Sequence, residues 1–370
     1  MRTAAASDFD RHMMDIALTL ARRGLGTTAP NPSVGAVIAD EATGCLIARG
    51  MTQPGGRPHA ETQAIARAGA RAKGATLYVT LEPCSHHGKT PPCVDAVIAA
   101  GIARVVIAVD DPDERVAGCG IARLEAAGLR VEVGLGAEAG RWITLGHILR
   151  VTQHRPFVQL KMALGRDGLV PRGQNGQAVF VTSGEARAAG HRLRAEADAL
   201  LVGAGTARDD DPELTCRLPG FAGRSPVRVV LSRTLDLPPG LKLVRSAREV
   251  PTWIVTGADA AARRGQVFED EGVRILPLPD GFTYADGLAA LAEAGVTRLL
   301  VEGGPGVWRA AAAEGLADEI ALFAAGAAEE GAPAAEALAA RYAPGLDLAF
   351  ASERRVGTDR LTMLRVRAPR

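Results

Sequence analysis

Two series of short apolar runs, each alternating with amphipathic stretches of about ten residues, restrict the fold of this chain more than any other feature. In the first series "SVGAVIAD" and "CLIARGM" read as adjacent strands, followed by "ATLYVTL", "ARVVIAVD" and "RVEVGLG". Helices are predicted at "HAETQAIARAGARAKG", "PPCVDAVIAAG" and "GIARLEAAG". A helix between two strands carries the chain back across the sheet, so parallel pairings are expected. Upstream, Phe9, Met13, Ile16 and Leu20 recur at helical spacing, with Ser7 as the cap and Asp10 three residues on. After Arg141, "WITLGHILRVTQHRP" reads as a connecting helix and linker.

The second series opens with the strand "PFVQLKMAL". A helix follows at "TSGEARAAGHRLRAEA", where Thr182 and Glu185 have the spacing of a capping box. Strands are expected at "DALLVG", "PVRVVL", "PTWIVTG" and "VRILPL". The helix "YADGLAALAEAG" then leads to the strand "TRLLVE", which runs into "GGPG". "AAGAAEEGAPAAEALAA" reads as a surface loop or weak helix, and the final segment as two strands joined through a Gly-Thr-Asp turn. A chain of 370 residues exceeds one ordinary core, so two α/β domains are expected, residues 1–150 and 151–370.

Charge narrows the function classes. Lys and Arg number 43 against 42 Asp and Glu, and no basic block stands out. The electrostatic footprint of a nucleic-acid binder is missing, and small-molecule substrates are favoured. Asp8, Asp10 and Asp15 are foreign to a secretion signal, and no apolar run is long enough for a membrane span. The five cysteines are an odd number, sparsely spread, which fits a reducing cytoplasm where paired cysteines more often bind metal or act in catalysis.

Cys84 and Cys93 flank the loop "SHHGKTPP", and His59 and Glu61 stand upstream in "PHAETQAI". One imidazole and two thiolates hold zinc tetrahedrally and leave the fourth position for water, which is the catalytic arrangement. Side chains two apart on a helix diverge by about 200°. His59 and Glu61 therefore reach one site only if the helix points its N-terminal end at it, and Pro58 suits such a start. Pro91 and Pro92 likewise place Cys93 in the first turn of the next helix. A closed structural site with His86 or His87 as fourth ligand, a disulfide, or unrelated surface histidines and buried cysteines compete with this reading, but none of the three has a use for Glu61. The pattern H-x-E followed by P-C and a second Cys marks zinc deaminases of nucleobases, in which the Glu moves protons without binding the metal. Here eight residues instead of two lie between the cysteines. Asn31, in "APNPSVGAVI", is an amide that could meet a planar amino-pyrimidine edge, although alone such a residue more often serves a turn.

Taken together, "APNPSVGAVI", "HAET", "TLEPCSHHGKTPPC" and "DPDERVAGCGIARLEAAGL" closely resemble the deaminase half of the bifunctional deaminase–reductases of riboflavin biosynthesis, long inter-cysteine loop included. The resemblance implies a cytidine-deaminase-like α/β/α domain with His59, Cys84 and Cys93 as zinc ligands and Glu61 as the proton shuttle. It also implies hydrolytic loss of the 2-amino group from a 2,5-diamino-6-(5-phosphoribosylamino)pyrimidinone. The stretches "QLKMALGRDG", "HRLRAEADALLVGAGTARDDDPELTCRLPG", "PVRVVLSR" and "LLVEGGPGVW" resemble the family's reductase half, which implies a dihydrofolate-reductase-like domain that uses NADPH to reduce a ribosyl group to a ribityl chain. Leu164, Phe180, Thr206, Asp210, Arg233, Gly304, Pro305 and Gly306 then fall at cofactor positions. Lys161, Ala178, Arg194, Leu214, Arg217 and Glu302 fall at substrate positions.

Some of those residues suit their roles independently of any family. Gly303, Gly304 and Gly306 follow a strand and precede a helix, so their N–H groups could cradle phosphates. Arg194 and Arg217 suit a substrate phosphate, and Arg233 suits the 2′-phosphate of NADPH. Departures from the family pattern occur at Ala178, which lacks a hydroxyl, at Phe180, in place of a Trp, and at Leu164–Gly165 in "ALGRDG". They open the alternative of an active deaminase joined to a degenerate reductase. An RNA or DNA base deaminase with an appended domain is the other enzyme reading, and a zinc-stabilised scaffold the non-enzyme one. Two sites handling one phosphorylated intermediate also lead us to expect a homodimer.

Overall fold

The computed structural model describes residues 6–88, 90–113, 116–171, 182–326 and 331–367. It divides into two compact units between His154 and Arg155.

The first unit runs α1 (Asp8–Gly24), β1 (Gly35–Asp40), β2 (Cys45–Met51), α2 (Ala60–Ala68), β3 (Thr76–Val79), α3 (Cys93–Ala99), β4 (Arg104–Ile107), α4 (Cys119–Ala126), β5 (Arg130–Val133) and α5 (Ala137–Gln153). The sheet order is β2-β1-β3-β4-β5. β1 is antiparallel to both its neighbours, while β3, β4 and β5 are parallel. Every residue of β3 and β4 is buried, as parallel strands between layers of helices require. Ser7 and Asp10 form the expected capping box on α1. Asp10 has a second duty, because its carboxylate also accepts from the Tyr78 hydroxyl at 2.7 Å and from Arg104 at 2.7 Å. Arg104 in turn reaches Glu41 and Glu132 at 2.6 and 2.9 Å. Burial alone would raise the Asp10 carboxyl, but Arg104 and Tyr78 hold it below the usual range.

The second unit runs β6 (Phe157–Leu164), α6 (Gly184–Ala195), β7 (Ala199–Gly203), α7 (Ala204–Asp210), β8 (Val227–Leu231), α8 (Lys242–Arg245), β9 (Thr252–Gly257), α9 (Ala258–Arg264) and α10 (Gln266–Glu269). It continues through β10 (Arg274–Leu278), α11 (Tyr284–Glu293), β11 (Arg298–Val301), α12 (Pro305–Ala313), β12 (Glu319–Ala324), α13 (Ala332–Tyr342), β13 (Leu348–Val356) and β14 (Asp359–Val366). Its strand order is β10-β9-β8-β7-β11-β6-β12-β14-β13. The strands from β10 to β12 are parallel, and β14 is antiparallel to β12 and β13. The carboxyl ends of β8, β7 and β11 therefore lie side by side, where ligands bind in open α/β sheets.

Three local expectations are corrected. The cap of α6 is Ser183, whose hydroxyl accepts from Ala186 N at 3.2 Å; Thr182 lies one residue outside the helix, with its carbonyl taken by Arg187. The connecting helix begins at Ala137, ahead of Arg141. Strand β12 was not expected; Glu319, which opens it, is accommodated in the sheet by Gln159, whose amide donates to it at 2.5 Å. Among the described residues, no helix is long and apolar enough to cross a membrane.

Candidate active site

In the first unit two helix starts meet. His59 is the N-cap of α2, and Glu61 lies in that helix's first turn. Cys93 is the first residue of α3, after the N-cap Pro92. Cys84 lies on the loop that follows β3. His59 Nδ1 stands 3.3 Å from Cys93 Sγ and 3.7 Å from Cys84 Sγ. The three donor atoms all lie within 4.8 Å of one another. His86 lines the same pocket but is not one of this group, and neither is His87.

Without a metal, one of the three donors ionises readily and the other two hold their protons. Cys84 is drawn down to about 4 by the hydrogen bond from Cys93, with help from His59 against the opposing effect of burial. Cys93, as the donor in that contact, is pushed up. His59 is raised, chiefly by its contact with Cys84. Two sulfurs and an imidazole nitrogen at this spacing fit zinc. Glu61 is 4 % exposed, burial raises its carboxyl, and among the described residues Oε2 has no hydrogen-bond partner. A buried oxygen left without a partner carries a desolvation cost that a substrate or solvent proton would relieve.

Asn31 lines the pocket, donates to the Gly56 carbonyl at 2.8 Å, and has its amide nitrogen 3.5 Å from His59 Nε2. Sequence reasoning missed several other lining residues, among them Arg57, Glu82, Asp111, Asp113 and His147. Buried His147 meets Asp111 Oδ1 at 3.0 Å through Nε2, an ion-pair geometry. The acid-rich run "DDPDE" after β4 was the available signal for Asp111 and Asp113; His147, one residue of a helix, offered none.

In the second unit, Lys161 on β6, Arg194 on α6 and Glu302 just past β11 come together. Arg194 makes two bonds to Glu302, at 2.6 and 2.8 Å, and donates to the Thr215 carbonyl at 2.8 Å. Burial alone would raise Glu302, but Arg194 and Lys161 hold it at about 2. His191, also missed, sits beside this group; burial and the charges of Arg194 and Arg217 lower it. The Arg217 backbone donates to His191 Nδ1 at 3.3 Å, while its guanidinium extends into solvent against Glu213. Leu214 is buried, with a positive φ of 53°.

Thr206 and Asp210 lie on α7 after β7, Arg233 follows β8, and Gly304, Pro305 and Gly306 open α12 after β11. Three neighbouring strand ends thus present all the expected cofactor residues except Leu164 and Phe180. A Cβ built at Gly306 would meet nothing within 4 Å, and one at Gly304 would lie 3.0 Å from Thr206 Oγ1. This open, backbone-lined helix start fits a dinucleotide phosphate. Leu164 is instead fully buried in the core, with its carbonyl taken by Ala325 N at 3.0 Å. Ala178 and Phe180 lie outside the described residues.

Residues 7–109 match the family model of the cytidine and deoxycytidylate deaminase zinc-binding region, and residues 156–333 match that of the RibD C-terminal domain. The class so defined is a zinc-binding deaminase domain joined to a reductase domain. Riboflavin biosynthesis protein RibD of Aquifex aeolicus is 40 % identical over 316 residues, covering 85 % of this chain and 86 % of the relative. That of Escherichia coli K12 is 38 % identical over 328 residues, covering 85 % and 87 %. The solved RibD of Acinetobacter baumannii superposes with a TM-score of 0.83 at 30 % identity, over 97 % of this chain and 99 % of that one. A diaminohydroxyphosphoribosylaminopyrimidine deaminase/5-amino-6-(5-phosphoribosylamino)uracil reductase from Thermotoga maritima gives 0.81 at 31 % identity, over the same shares. The chain belongs to the RibD family of bifunctional riboflavin-biosynthesis deaminase–reductases.

Proposed function

We propose that the first unit hydrolyses the 2-amino group from 2,5-diamino-6-(5-phosphoribosylamino)pyrimidin-4(3H)-one, and that the second uses NADPH to reduce the ribosyl group of the resulting 5-amino-6-(5-phosphoribosylamino)uracil. The observation that carries this reading is Glu61 Oε2, buried beside the His59–Cys84–Cys93 group with no hydrogen-bond partner among the described residues. His59, Cys84 and Cys93 would hold zinc, which when bound supplies Lewis-acid activation of water. Water is consumed and ammonia released. Glu61 moves both protons of the attacking water, the first to the ring nitrogen as oxygen adds at C2 and the second to the amino nitrogen as the C2–N bond breaks and ammonia leaves, a task that its raised carboxyl suits. Asn31, oriented by its bond to Gly56, holds the pyrimidine edge.

In the second unit NADPH, when bound, supplies the hydride. Gly304, Pro305 and Gly306 receive its phosphates, Thr206 and Asp210 flank them, and Arg233 answers its 2′-phosphate. Lys161, Arg194, Leu214, Arg217 and Glu302 hold the substrate, the cations on its phosphate side and the carboxylate on the sugar hydroxyls. A reducing cytoplasm suits the chain, because it keeps Cys84 and Cys93 available to the metal. We further place the chain as a homodimer acting on small phosphorylated pyrimidines and not on nucleic acid. Incubation of the purified protein with the diaminopyrimidine ribotide tests the whole reading. Ammonia release without cofactor, followed by NADPH oxidation once cofactor is added, is the expected result. Deamination with no subsequent NADPH oxidation would leave the reductase half degenerate; no ammonia release would defeat the deaminase assignment.

A further inference from the structure

Glu82 stands two residues before Cys84 and is 3 % exposed. Its carboxylate is spent on backbone amides far along the chain. Oε2 accepts from Asp111 N at 3.2 Å and from Gly118 N at 3.1 Å, and Oε1 accepts from Ile121 N at 3.1 Å. Gly118 is the N-cap of α4 and has no side chain to offer; Glu82 supplies the missing acceptor and places negative charge at the positive end of the helix. The fit is close, since a Cβ at Gly120 would lie 2.4 Å from the Pro83 carbonyl and 2.9 Å from Glu82 Oε1. Between these anchors runs the segment whose Asp111, Asp113 and Val116 line the pocket beside Cys84 and Glu61.

We propose that Glu82 is a positioning residue for the deaminase, whose carboxylate fixes the substrate-binding wall formed by Asp111, Asp113 and Val116 in register with the metal-ligand loop. The proposal rests on the deaminase reading above. Both oxygens are in use, so a glutamine must turn its NH2 against an N–H donor and cannot satisfy the set. The wall binds ground state and transition state alike, while His59, Glu61, Cys84 and Cys93 stay in place. The loss should therefore fall on KM.

The test compares wild type, E82Q, E82D and G120A, each loaded with zinc. E82Q is expected to keep one zinc, raise KM for the diaminopyrimidine ribotide about tenfold, and change kcat by less than about threefold. E82D, which keeps both acceptors, should recover part of the affinity. G120A, which crowds the Pro83 carbonyl and Glu82 Oε1 while keeping the carboxylate itself, should raise KM in the same way and carries the test if E82Q does not fold. Unchanged KM in both E82Q and G120A overturns the proposal, and so does loss of zinc with kcat falling as much as kcat/KM. Hydrogen exchange at the Gly118 and Ile121 amides reads the clamp without turnover: slow in wild type and fast in E82Q is expected, and equal rates overturn it. If wild type fails to turn over the ribotide while the exchange difference stands, the substrate assignment is what fails.

Discussion

His59 Nδ1 lies 3.3 Å from Cys93 Sγ although the two residues are 34 apart in sequence. Two helices that start at the same point in space produce this meeting: His59 caps one and Cys93 opens the other. Their N-termini favour thiolate and a bound anion.

Glu61 follows His59 into that first turn without joining the metal group. E61Q keeps the side chain's shape and removes the proton acceptor. It should bind zinc with wild-type stoichiometry and lose about 10²–10⁴-fold in deamination. Measurement of metal content alongside ammonia release checks both parts; a zinc-free E61Q, or one that turns over normally, contradicts the role.

The metal group lies wholly within the first unit, while Lys161, Arg194 and Glu302 lie in the second. Treatment with a zinc chelator should therefore abolish ammonia release. NADPH-dependent reduction of the already deaminated ribotide should stay within about twofold. Equal loss of both activities would count against separate chemistries.

Much of the deaminase site could be read from sequence because its chemistry needs rare residue types at short spacing. His-x-Glu and Pro-Cys are each local, and each sits at a helix start marked by proline. Glu82 was invisible, since its partners are backbone amides 29 to 39 residues away and leave no side-chain pattern. The pairing of Arg194 with Glu302, 108 residues apart, likewise arises only when β11 closes beside β6. At the start of α6, Thr182 and Ser183 are both competent caps, and backbone geometry chose Ser183. The unexpected strand β12 opens on a buried glutamate, made tolerable by Gln159.

The Arg194–Glu302 pair has a pH signature. Glu302 is held at about 2 against an ordinary 4.5, because Arg194 and Lys161 outweigh the opposing effect of burial. A carboxyl lowered by folding stabilises the folded state fully above its ordinary pKa, and that contribution is lost as pH falls through the folded value. The contribution is about 3 kcal/mol at neutral pH, disappearing between about pH 5 and pH 2. Denaturant titrations of the second unit's transition should show this slope in wild type and a flatter one in E302Q. E302Q should also be less stable at pH 7, because Arg194 is left buried without its counter-charge. An identical slope in both proteins would contradict the assignment.

In the first unit, Arg104 joins Asp10, Glu41 and Glu132 around the Tyr78 hydroxyl. R104M removes the cation and strands buried Asp10. A loss of about 3–5 kcal/mol is expected from chemical denaturation of that unit. A change below about 1 kcal/mol would show that the network behaves like an exposed ion pair.

The central claim is a single metal ion held by one imidazole and two sulfurs, with the remaining coordination position open. X-ray absorption at the zinc edge of the loaded protein addresses it most directly. Two sulfur scatterers at about 2.3 Å and two light scatterers at about 2.0–2.1 Å are predicted, only one of the light pair being an imidazole. Two imidazoles beside the two sulfurs, or fewer than two sulfurs, would contradict the account.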